Sequence, residues 1–140
     1  DPGALQWFLD RIETETLAMP LCEHDAYVRR FPGAPPAGIV LGGERVVNGG
    51  VFHIPAGAHA RVRIVAAALF DARKAPWRMA TIAGPATLLR FALGHLSISA
   101  LEARAAQVLQ LPVRAVRGAP PELAFDADTE HDYAFVIAHR

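Results

Sequence analysis

The fold turns on the stretch Ile39-Val40-Leu41-Gly42-Gly43-Glu44-Arg45-Val46-Val47-Asn48-Gly49-Gly50-Val51-Phe52-His53-Ile54-Pro55. Two runs rich in β-branched residues, 39–41 and 45–54, flank Gly42-Gly43-Glu44, which is hairpin-turn chemistry. Asn48-Gly49-Gly50 interrupts the second run. Glycines inside a strand pattern mark a bulge, or a place where another backbone or a ligand comes close. The asparagine beside them offers an amide donor and acceptor where side-chain bulk has been removed. Two readings stand together here: a contact for a small polar ligand, or a bulge packed against a helix. Gly42-Gly43 precedes a strand and not a helix, so no helix N-terminus is available for a phosphate, and it reads as a turn.

Upstream of this stretch, Asp1-Pro2 reads as an N-cap followed by proline at the first helical position. Leu5, Phe8, Leu9 and Ile12 recur at helical spacing, which predicts a helix ending near Glu15. A strand over Leu17–Cys22 and a short helix over Glu23–Phe31 follow, closed by Pro32-Gly33. Downstream, Ala58, Val62, Val65 and Leu69 predict a helix from Gly57 to about Arg73 with a buried stripe. Pro76 opens a segment that Gly84-Pro85 breaks again. Helices over 87–93 and 99–109 complete a helical cluster, with Ser97 or Ser99 as cap. Strands are expected at Pro112–Arg117 and Leu123–Phe125, joined by Pro120-Pro121, and a last helix runs from Thr129 through Ala138. The order is mixed α/β, with strands near 17–22, 46–54 and 113–117 expected in one sheet and helices packed against it.

The chain has 140 residues and is 52% hydrophobic, enough for one domain with a real core. No apolar run is long enough to span a bilayer, and no secretory signal opens the chain. The single cysteine, Cys22, forms no internal disulfide, which accords with a cytoplasmic protein. Fourteen basic residues balance 14 acidic ones, so net charge argues for neither nucleic acid nor an acidic membrane as partner. The charge is nevertheless segregated. Arg61, Arg63, Arg73, Lys74, Arg78 and Arg90 face Asp71 alone between Gly57 and Leu96, whereas Glu122, Asp126, Asp128, Glu130 and Asp132 crowd a short later segment. Solvated helix faces account for this, and so would a phosphate-attracting wall opposite a metal-binding edge.

Asp126-Ala127-Asp128 lies between a strand-like run and a helix start. Alternate residues of an extended segment point to opposite sides, so one carboxylate at a time would face a cleft and ligate Mg²⁺. The other reading is that Asp128 and Thr129 cap the following helix. The histidines lack zinc-ligand spacing. Cys22 has no neighbouring base to activate it as a nucleophile. Trp77, within Lys74-Ala75-Pro76-Trp77-Arg78, is either a stacking platform or a core residue.

Taken together these pieces resemble the C-terminal half of a MobA-like nucleotidyltransferase, an NTP-transferase family with a Rossmann-like glycosyltransferase-A fold. Asp1-Pro2-Gly3-Ala4-Leu5 matches the start of the helix after that family's first metal-binding aspartate. Asn48-Gly49-Gly50-Val51-Phe52 is similar to its Asn-x-Gly-hydrophobic-aromatic strand, which lines the acceptor site. Asp126-Ala127-Asp128-Thr129-Glu130-His131-Asp132 resembles its Asp-x-Asp-Thr-Pro-x-Asp segment, with Glu130 in place of the proline. The stretch Arg73–Ala80 with Leu88-Leu89-Arg90-Phe91 looks like a helical insertion of one bacterial subgroup, here about 57–110.

The resemblance implies one acceptor-side domain over 1–140 and transfer of a nucleotide from an NTP to a small phosphorylated acceptor, with release of pyrophosphate. It implies Asn48, Gly49, Gly50, Lys74 and Arg78 as substrate-binding residues, and Asp128 with Asp126 as metal ligands for Mg²⁺, held weakly by this chain alone. The family's Gly-rich loop, phosphate-binding lysine and first metal aspartate fall upstream of Asp1. The chain by itself is therefore expected to be inactive, and to self-associate or pair with an N-terminal segment. The reading from another class is a non-catalytic α/β binding module that has lost the nucleotide.

Overall fold

The structure, a computed structural model, describes residues 1–34, 37–72, 74–126 and 130–138. Four strands form one mixed sheet: β1 (Leu17–Glu23), β2 (Ile39–Leu41), β3 (Glu44–Asn48) and β4 (Val113–Arg117), in the order β2-β3-β1-β4. β1 runs parallel to β4, with Leu17 opposite Val113 and Leu21 opposite Arg117. β3 is antiparallel to both β1 and β2, so the expected hairpin and the expected shared sheet are present. Seven α-helices are seen among the described residues: α1 (Pro2–Leu9), α2 (His24–Arg30), α3 (His59–Ala72), α4 (Pro76–Ala83), α5 (Pro85–Ala92), α6 (Ile98–Leu109) and α7 (Glu130–Ala138).

The period-two alternation of β1 divides the core. Met19 and Leu21 join Leu41, Val46 and Ala115 beneath Leu96, Ile98 and Leu101 of the α6 side. Ala18 and Val116 turn to the opposite face, against Ala4 and Phe8 of α1. Cys22 and Val47 share that second face with Tyr27 of α2. Helices thus cover both faces. Glu102 of α6 accepts a 2.7 Å hydrogen bond from the Ala115 amide, satisfying a donor on edge strand β4.

Local signals explain the helix starts. The Asp1 carboxylate accepts from the Gly3 amide at 2.7 Å, and the Ser97 hydroxyl from the Ala100 amide at 3.2 Å, so Ser97 is the cap of α6. No helix is long and apolar enough to cross a membrane among the described residues.

The structure corrects several expectations. α1 ends at Leu9 and not near Glu15: the Arg11 amide turns back only three residues, to the Phe8 carbonyl at 3.0 Å, and its guanidinium takes the Trp7 carbonyl at 2.9 Å. β3 stops at Asn48; beyond it the ladder breaks, and His53 alone re-forms a bridge with Ala18. The stripe expected to be buried on α3 is only half-buried, and Ala72 is the one buried residue of that helix. Pro121–Leu123 forms a 3₁₀ turn where a strand over 123–125 was expected. The Leu123 and Ala124 amides bond back to Pro120 and Pro121 carbonyls at 3.0 and 2.9 Å, and two successive prolines cannot donate to a ladder.

Candidate functional site

The site is built where the chain after β4 folds back over β1. Gly118 turns the chain at φ 70°, a conformation suited to glycine, and Ala119 donates to the Leu21 carbonyl at 3.0 Å. The 3₁₀ turn then carries Leu123 over β1 to the segment that follows β3. There the Gly50 amide donates to the Leu123 carbonyl at 2.9 Å, and the Gly49 amide to the Pro20 carbonyl at 2.9 Å.

These bonds leave no room for a side chain on Gly49. A Cβ there would overlap Pro20 Cγ and stand 2.9 Å from the Leu123 carbonyl oxygen. The glycine is thus a close-approach residue, packed on a proline ring and a turn and not on a helix. Gly50 is different: it is exposed, and a Cβ there would meet only Asp126 Oδ2, at 4.0 Å. The Asp126 carboxylate therefore faces Gly50, two residues beyond Asn48, which ends β3 and is exposed. Neither side chain is engaged in a hydrogen bond or ion pair among the described residues.

Two anchors hold the segment that presents Asp126. Glu122 accepts from Arg30 Nε at 2.7 Å, tying the turn to the end of α2. Burial pushes the Glu122 carboxyl up, but its hydrogen bonds to the backbone and to Arg30 outweigh this and hold it below the usual glutamate value. Phe125 packs into an aromatic group, 4.9 Å from the Phe31 ring, 5.6 Å from Phe135 and 6.3 Å from Tyr27. Burial, and secondarily the Asp132 carboxylate, push the Tyr27 hydroxyl up, so it stays protonated. The Cys22 thiol is also pushed up, by burial first and by Glu23 and Glu122 next, which keeps it a core residue and no nucleophile.

The structure thus brings Asn48, Gly49 and Gly50 together with Asp126. Asp128 and Thr129 lie outside the described residues, as does Arg73. Lys74 and Arg78 stand exposed in the helical layer; Lys74 lies just before α4, which carries Arg78 and packs on α3, α5 and α6. The atoms nearest to a Cβ placed on Gly49 or Gly50 belong to Pro20, Leu123 and Asp126. As a metal ligand Asp126 has the right donor chemistry, a hard carboxylate oxygen, but it supplies a single ligand. No group of three or more His, Cys, Asp or Glu side chains is placed to hold an ion among the described residues.

Sequence reading missed a second concavity of about 420 Å³, at the C-terminal ends of β1 and β4. Glu23, His24, Asp25, Glu44, Arg45 and Arg117 line it, and Arg117 already pairs with Glu44 across the end of β1. The strand-end position of these charges was the only available signal, and ligands of α/β proteins gather at that edge.

No family model matches the chain, and no curated protein sequence does. The solved structure of a hypothetical transferase from Thermus thermophilus is similar, with 28% identity and a TM-score of 0.79. The match covers 93% of this chain and 56% of that one, so this chain spans about half the length of the structure it resembles. The mixed α/β architecture around Gly49 and Asp126 is thus similar to part of that hypothetical transferase.

Proposed function

We propose that this chain is the acceptor-side part of a Mg²⁺-dependent nucleotidyltransferase of the MobA-like NTP-transferase family, with a Rossmann-like glycosyltransferase-A fold. The observation that carries the reading is the approach of Asp126 to Gly50, residues distant in sequence, beside the Asn48-Gly49 end of β3. The likeness to a transferase over most of the chain supports it. In the proposed reaction an acceptor phosphate oxygen attacks the α-phosphate of an NTP. A new P–O bond forms there, the bond to the β-phosphate breaks, and pyrophosphate leaves. Such chemistry is chiefly positioning and charge neutralisation. Asn48 would bind polar groups of the acceptor through its amide, and the missing side chain of Gly50 would let the acceptor approach the backbone. Asp126, with Asp128, would hold Mg²⁺, which when bound neutralises charge on the transferred group.

The test is pyrophosphate release by the polypeptide as encoded in full. Asp126→Asn should lower turnover roughly a hundredfold or more, and Asn48→Ala should raise KM for the acceptor. Both side chains are exposed, so thermal melts should stay close to the parent. Unchanged kinetics in both variants with an intact fold would refute the reading.

A further inference from the structure

The α4–α5 pair has an inner and an outer face. Met79, Ile82 and Ala83 of α4, with Thr87, Leu88 and Phe91 of α5, line an apolar cavity of about 310 Å³ shared with α6 and β2. At a period of 3.6 residues the opposite faces carry Trp77 and Thr81 on α4, and Leu89 and Leu93 at the end of α5. Trp77 is 71% exposed, Leu89 61% and Leu93 60%. These large apolar side chains stand in water, on the faces opposite the cavity.

Cations flank them. Lys74, Arg78 and Arg90 are exposed, and none pairs with a carboxylate among the described residues. The Arg78 guanidinium stands 5.8 Å from the centre of the Trp77 ring, beside the apolar surface and not across from an acid. Between Asp71 and Glu102 the sequence holds no acidic residue at all. The zero net charge of the chain averages over this face, because its acidic complement lies elsewhere, notably from Glu122 to Asp132.

We propose that the α4–α5 face binds the surface of an anionic phospholipid bilayer. Exposed tryptophan and leucine bordered by arginine and lysine is the composition of a helix lying in the interface, with the ring at headgroup depth and the cations against lipid phosphates. Each helix has 8 residues, far too short to span, so the pair lies on the bilayer and does not cross it. A second copy fits less well: a symmetric contact through this face would bring Lys74, Arg78 and Arg90 of both copies into one interface to which neither helix adds an acid.

The experiment is co-sedimentation of the full encoded polypeptide with vesicles of phosphatidylcholine, with and without phosphatidylglycerol. Binding is expected only to the vesicles containing phosphatidylglycerol, and is expected to weaken as salt is raised. Each basic side chain near such a surface accounts for about a fivefold gain, so Arg78→Glu with Arg90→Glu should weaken binding by about 30-fold or more. Trp77→Ser with Leu89→Ser should abolish it while the circular dichroism spectrum is kept. In a Trp7→Phe background, Trp77 emission should shift to the blue on adding the anionic vesicles. Absent binding, equal binding to both vesicle types, or full binding by the charge-reversed variant would overturn the proposal. A concentration-dependent dimer in sedimentation velocity, dispersed by the Trp77→Ser and Leu89→Ser variant, would overturn it in favour of a second copy.

Discussion

Gly49→Ala should destabilise the chain by about 2–4 kcal/mol, although it adds a single methyl group. The φ of Gly49 lies outside the left-handed region, so the cost is not conformational strain at that residue. It is steric. The new Cβ would overlap Cγ of Pro20, whose ring is fully buried and cannot rotate aside, and would stand 2.9 Å from the Leu123 carbonyl oxygen. Relief requires the Gly49 backbone to withdraw from β1, which stretches the 2.9 Å bonds from Gly49 to Pro20 and from Gly50 to Leu123. Overpacking of this kind costs about 1–3 kcal/mol, and each weakened hydrogen bond adds up to about 1 kcal/mol. For a chain of this size the sum lowers the melting temperature by about 6–15 °C. The control is Gly50→Ala, whose Cβ meets one side-chain oxygen at an ordinary 4.0 Å and should leave the melt within about 2 °C. Melts followed by circular dichroism decide the matter. Equal stability of the two variants would refute the close-approach argument, and with it the account of how Asn48 and Asp126 are held in register.

Other outcomes follow from the anchors. Arg104 donates to the Ala83 carbonyl at 2.7 Å and to the Ile82 carbonyl at 2.9 Å, closing the end of α4. Arg104→Ala should therefore cost about 2 kcal/mol. Hydrogen exchange should quicken in α4 and α5 and stay unchanged in β1, and uniform exchange would count against that role. The Glu122 carboxyl is held below its unfolded value, so its bond to Arg30 stabilises the fold above the unfolded glutamate pKa and is lost as pH falls through the folded one. Glu122→Gln should thus remove about 0.5–1 kcal/mol at neutral pH and flatten the loss of stability below about pH 4.3. Parallel pH profiles of parent and variant would show that the pair is not responsible.

Much of the local structure was legible in the sequence because its causes are local. Asp1 and Ser97 cap their helices through bonds two and three residues away, and Gly42-Gly43 turns a hairpin between adjoining strands. The helical spacing along α1 and α3 is likewise written in neighbouring residues. Asn48-Gly49-Gly50 was legible as a special place, but not as which kind. Its meaning depends on Pro20 and Leu123, residues far off in the chain that only the pairing of β1 with both β3 and β4 brings against it. The same holds for Asp126: sequence marks an acidic residue, and the fold sets its carboxylate across from Gly50. The strand expected over 123–125 became a turn because the chain must cross from β4 to the far side of β1 in a few residues, and prolines at 120 and 121 favour a tight turn over a ladder. Trp77 shows the limit most plainly. Helical spacing alone allows core or surface, and it is the turning of Met79 and Ile82 toward the cavity shared with α6 that leaves Trp77 on the opposite face, in water. Periodicity, caps and turns act over a few residues, whereas which surfaces meet is a property of the packed sheet.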